Sequence, residues 1–158
     1  MTTKQQFVDQ ARKYLGVDHR HQGRAHLAGR GQAVDCVGLL VCVAEDLELV
    51  DVNGQPFRRH DELNYGPQPT RDDVDAACRA RLILKDAPPA PGDIVTLLVR
   101  YRENEPGVTC HVAVISDLGK GELGMIHALA SLGRVVEHRL DPKWTKRIRG
   151  IFEVPGLE

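Results

Sequence analysis

Apolar residues Phe7, Ala11, Tyr14 and Leu15 recur at the spacing of one helix face and stop at Gly16, which predicts a first helix of about three turns. From Val17 to Val34 no period is sustained; His, Gly, Arg and Gln dominate, and the stretch reads as irregular loop. Asp35 is a good helix cap. Cys36, Val37, Leu39, Leu40, Val41, Val43, Ala44 and Leu47 follow it as a helix apolar almost all round, hence central and buried. Asn53-Gly54 and the prolines Pro56, Pro67 and Pro69 mark a long connection, after which Thr70 is placed to cap a polar, peripheral helix near residues 71–81.

Ala87-Pro88-Pro89-Ala90-Pro91-Gly92-Asp93 is a rigid break, beyond which the pattern changes from helical to strand-like. Strands are predicted at Ile94 to Val99, His111 to Ser116, Leu123 to Leu129 and Arg134 to Leu140, with Gly119, Gly121 and Gly133 at the turns, and a last one at Arg149 to Val154. Helices followed by a meander of strands predict an α+β fold, its N-terminal helices packed on an antiparallel sheet of about five strands. A length of 158 residues suits a single domain spanning 1–158.

Composition narrows the function more than the fold. A net charge of −1 removes the simplest electrostatic argument for nucleic-acid binding. The basic cluster Lys143, Lys146, Arg147 and Arg149 reads as solvated surface. The N-terminus lacks the apolar core of a secretory signal, and no run approaches the ~18 apolar residues of a membrane span, so the product is expected to be cytoplasmic as synthesised. Cys36, Cys42, Cys78 and Cys110 form no CxxC pair, and in a reducing compartment they are expected to stay thiols.

Of these thiols Cys36 carries the chemistry, because the first turn of a buried helix offers it backbone N–H groups and the positive end of the helix dipole. The dipole is worth at most ~2 kcal/mol, so full activation needs a cationic neighbour. His111, opening the strand HVAVIS, is the natural base and partner of an ion pair. If the two neighbouring strands pair across the turn at Gly119 to Gly121, His127 lies almost opposite His111 and orients it, while the backbone N–H of Cys36 meets the oxyanion. His60 and His138 read as structural, with His138 the less favoured substitute for His127. Cys110-His111 and the run His19, His21, His26 raise zinc. Against it, adjacent strand residues face opposite ways and no CxxC or HxxxH completes a ligand set, so neither metal nor other cofactor is expected.

The motifs DCVGLL at 35–40, HVAVIS at 111–116 and MIHA at 125–128 resemble the NlpC family of papain-like cell-wall cysteine peptidases. Its signature is Asp-Cys-small-Gly-Leu on a helix, His-Val on a strand and a third polar residue on the next strand. PGD at 91–93 and Gly133-Arg134-Val135-Val136 also match its pattern, and ARKYLGVDHRHQGR at 11–24 is similar to the opening of the phage-tail and gene-transfer-agent branch. The resemblance implies a papain-like fold, with Cys36, His111 and His127 as nucleophile, base and orienting residue. It also implies cleavage of peptidoglycan stem peptides, in the manner of a γ-D-glutamyl-diamino acid endopeptidase, and delivery to the cell wall in a tail-like particle beside other tail proteins. Asp35, His19 and His21 fall around the expected oxyanion and substrate positions. Where the family commonly has a tyrosine at the oxyanion site this chain has His19: its ring could donate, His21 could substitute, or the site could suit another acyl substrate. Val37 stands where a serine commonly follows the cysteine. Asp18, Arg20 and Arg24 are candidates for selecting charged peptide ends. Two other readings stay open: a catalytically weak tail or assembly module that binds, and an amidase or acyltransferase on another small acyl substrate.

Overall fold

Thr3 starts helix α1 (Lys4–Arg12) with a capping box: its hydroxyl accepts the Gln6 N–H at 3.1 Å, and the Gln6 side chain accepts the Thr3 N–H at 2.8 Å. The helix ends at Arg12, before Tyr14 and Leu15, which the apolar spacing includes. The computed structural model describes residues 1–25, 32–61, 66–69 and 71–158. Helix α2 (Cys36–Asp46) buries Leu39, Val41, Cys42, Val43 and Ala44, in keeping with its apolar surface. Helix α3 (Asp73–Arg81) buries only Cys78 and is peripheral; the expected cap, Thr70, lies outside the described residues, as does His26.

The strands do not form the expected arrangement. Beside β4 (Ile94–Val99), β5 (Val108–Gly119), β6 (Glu122–Leu129), β7 (Arg134–Arg139) and β8 (Ile148–Glu153) there are three two-residue strands, β1 (Asp18–His19), β2 (Ala33–Val34) and β3 (Ile83–Leu84). All join one sheet of order β2-β1-β7-β6-β5-β4-β8-β3. Because β1 and β2 run parallel, the sheet is mixed. It is an eight-stranded, curled half-barrel in a mostly β molecule with few helices, which overturns the α+β, papain-like expectation of helices packed on about five antiparallel strands. The physical reason is length: two residues cannot display a period of two, so β1 and β2 hide in a stretch that reads as loop.

Both sheet faces are covered. Val112, Val114, Ile126, Ala128 and Phe152 meet Phe7, Val8 and Ala11 of α1 and Leu39, Cys42 and Val43 of α2. On the other face Val95, Leu97, Ala113, Ile115 and Met125 lie under Leu140, Trp144 and Ile148, with Trp144 on the short helix α4 (Pro142–Thr145). A strand covered on both faces has no polar side to alternate with, which is why Ile94 to Val99 reads as a nearly continuous apolar run. Among the described residues no helix is long and apolar enough to cross a membrane.

Candidate active site

Cys36 occupies the first position of α2, after the Asp35 cap. The paired register of β5 and β6 runs from Gly119↔Glu122 to Val114↔Ile126 and stops there, although β5 continues back to Val108 and β6 on to Leu129. The strands diverge at this point, and a backbone N–H released from the ladder must find another acceptor. For Val112 that acceptor is the sulfur of Cys36, which also receives the N–H of Val37. The start of α2 is thus seated where the sheet splits. A bulge adds to the distortion: Leu97 faces His111 while Leu98 faces Thr109, so Cys110 is the extra residue beside His111.

His111 and His127 are not the cross-strand pair expected from the sequence. Carried forward, the β5–β6 register would set Ala113 against His127, two residues beyond His111. Their rings nevertheless meet across the gap, with His111 Nε2 2.7 Å from His127 Nδ1. His127 is fully buried. Its Nε2 lies 2.8 Å from Nε2 of His138, whose Nδ1 lies 2.9 Å from the Arg139 carbonyl oxygen. The β6–β7 register explains this second contact, because Met125↔His138 and His127↔Val136 put His138 diagonal to His127 on one face. Trp144 packs edge-on to His127 with ring centroids 5.1 Å apart, and Arg147 stacks on Trp144 at 5.0 Å.

Asp35 is engaged within the protein. One oxygen accepts the Gly38 N–H at 2.7 Å and Arg24 Nη1 at 2.9 Å, and the other accepts the Gln22 N–H at 2.9 Å. Arg24, fully buried, also forks onto Asp61 with two contacts of 2.6 Å. This ion triad ties the loop before β2 to the start of α2. His19, on β1, is placed close enough to His111 and Asp35 for their charges to act on each other, and His21 acts on His19 from the following turn. On the Cys110 side, the Tyr101 hydroxyl lies 3.3 Å from the Cys110 sulfur and within the field of Cys36.

Electrostatics correct one expectation. Burial, reinforced by Asp35, pushes the Cys36 thiol up to about 12 against the help of the Val112 and Val37 N–H groups. Burial, with the positive charges of His19 and Arg147, lowers His111 to about 4 against the pull of Asp35. His127 falls to about 2, chiefly from burial. The free protein at neutral pH therefore holds a neutral thiol and neutral imidazoles, not an ion pair ready in advance. Among the described residues no hydrogen bond joins the Cys36 sulfur to the His111 ring, and no group of three or more His, Cys, Asp or Glu side chains is arranged to hold a metal ion.

No protein-family model and no curated protein matches this chain. The site thus rests on its own geometry, and the sequence had left three parts of it out. His138 read as structural, or as the less favoured substitute for His127, and not as its partner, although its place diagonal to His127 follows once the register is known. Trp144 sits on the four-residue helix α4 and Arg147 in the turn after it, and no periodicity announces their packing.

Proposed function

We propose that the protein is a cysteine hydrolase of the NlpC type that cleaves an amide bond in peptidoglycan stem peptides through an acyl-enzyme on Cys36. The observation that carries this reading is the contact of His111 Nε2 with His127 Nδ1 at 2.7 Å, since it leaves Nδ1 as the ring nitrogen not engaged by His127, on a residue that adjoins Val112, whose N–H meets the Cys36 sulfur. In the attack Cys36 forms the S–C bond while its proton passes to His111 Nδ1, and the carbonyl π electrons move onto oxygen. The backbone N–H of Cys36, in the first turn of α2, is positioned to receive that oxyanion, with His19 beside the site as a second donor. Collapse breaks the C–N bond, and the leaving amine takes the proton from His111. Water, deprotonated at the same nitrogen, then attacks the thioester and releases the acid, and the thiolate regains its proton. Closer approach of ring and sulfur on substrate binding agrees with the looseness of catalytic contacts in free enzymes.

The substrate class, and a setting in a phage tail-like particle, rest on the resemblance of DCVGLL, HVAVIS and MIHA to that family. A neutral thiol and ring with no hydrogen bond between them favour a second reading, a tail module that binds stem peptides without efficient hydrolysis. Purified muropeptides incubated with wild type and Cys36→Ala, followed by mass spectrometry, separate the two. The hydrolase gives new stem-peptide fragments and an acyl adduct on Cys36, both lost in Cys36→Ala. Binding of muropeptides with neither fragments nor adduct sinks the hydrolase and leaves the module.

A further inference from the structure

Two neutral imidazoles joined by one hydrogen bond can share the proton either way, and only one arrangement leaves a lone pair on Nδ1 of His111. His127 alone cannot choose between them. The line of contacts ends, however, on a group without that freedom: Nδ1 of His138 lies 2.9 Å from the Arg139 carbonyl, and a carbonyl oxygen only accepts. Neutral His138 therefore carries its proton on Nδ1 and offers a lone pair at Nε2. His127 must then donate from Nε2 across 2.8 Å, which leaves its Nδ1 as an acceptor. His111 in turn donates from Nε2 across 2.7 Å and keeps Nδ1 bare.

Resting on the hydrolase reading above, we propose that His138 is a positioning residue: anchored by the Arg139 carbonyl, it sets the tautomers of His127 and His111 and so keeps the lone pair of the general base on the nitrogen left for Cys36. The surroundings suit a relay of fixed polarity. His127 is fully buried, and Trp144 packs against the middle ring and the anchoring one, 5.1 Å from the His127 ring and 5.4 Å from the His138 ring. The β6–β7 register holds His138 in place from the backbone.

The test is read first in the unaltered protein. Long-range proton–nitrogen NMR of the full chain labelled with 15N-histidine, at pH 8, is expected to show His111 and His127 protonated on Nε2 and His138 on Nδ1. Protonation of His111 or His127 on Nδ1 overturns the proposal without any variant. In His138→Phe, which keeps a ring near Trp144 but no acceptor, both remaining rings are expected to divide between tautomers. Muropeptide cleavage then loses about 2-fold in kcat at unchanged KM, because removing the roughly 10-fold bias of one ordinary hydrogen bond leaves about half of the molecules with the lone pair on Nδ1. His138→Gln, whose amide oxygen can accept from His127, is expected to recover most of the loss. Unchanged tautomers in a folded His138→Phe protein also overturn the proposal. Expected tautomers in a wild type that cuts no muropeptide would instead defeat the hydrolase reading while upholding the proton order.

Discussion

For Cys36 the helix dipole supplies at most ~2 kcal/mol, about 1.5 pKa units, toward the thiolate. Burial and Asp35 act the other way and leave the thiol near about 12, so desolvation wins over the dipole. The consequence is a general-base reaction in which His111 is competent once it has lost its proton. We therefore expect kcat/KM for muropeptide cleavage to rise through an acid limb near about 4 and stay flat across neutrality. Iodoacetamide at pH 7 is expected to alkylate Cys36 no faster than an ordinary thiol. Rapid alkylation already at pH 5 would reveal a thiolate and contradict this assignment. Cys36 and His111 were legible as candidates because cap, helix and strand start are local features. Their charge state was not, because it depends on what the folded chain stacks around them: Asp35, His19 and Arg147 come from three separate segments.

Among the elements, the five longer strands were legible from their composition and turn residues, and the central helix from its apolar surface. The three two-residue strands were not, nor was the parting of β5 from β6 that seats Cys36. Gly38 shows how the helix start is held there. A Cβ on Gly38 would lie 2.0 Å from the Gly23 carbonyl oxygen and 2.7 Å from Arg24 Nη1, a backbone atom and a side chain locked between Asp35 and Asp61. Neither can yield without breaking the triad, so α2 would have to lift off the loop before β2. Gly38→Ala is expected to destabilise the fold by about 3 kcal/mol, the upper range for overpacking, measured as a lower midpoint in urea denaturation. A midpoint equal to wild type would mean that the loop, not the helix, is the part that moves.

For the molecule as a whole, the curled sheet brings three histidines from three strands into contact and buries the middle one, and this couples the site to stability. His111 and His127 have folded pKa values lowered to about 4 and about 2, against 6.5 for an ordinary histidine, and burial lowers His19 as well. Below pH 6.5 the unfolded chain therefore binds protons that the folded protein refuses. The stabilisation from keeping these rings neutral is fully present above 6.5 and is lost as pH falls from there through the folded values. The carboxylates held low by their partners, Asp51 and Glu153, start from ordinary values of 3.8 and 4.5, so their loss belongs to more acid solution. Between pH 6.5 and 4.5 the slope is thus set by histidine, and we expect stability in urea to fall by on the order of 3 kcal/mol across that window. His127→Gln removes one of the refused protons. It is expected to lower stability at pH 8, through lost packing against Trp144, yet to flatten the slope between pH 6.5 and 4.5. Parallel pH profiles for wild type and variant would show that the His127 ring accepts its proton in the folded state as readily as in the unfolded chain, and that the covered face is open to water.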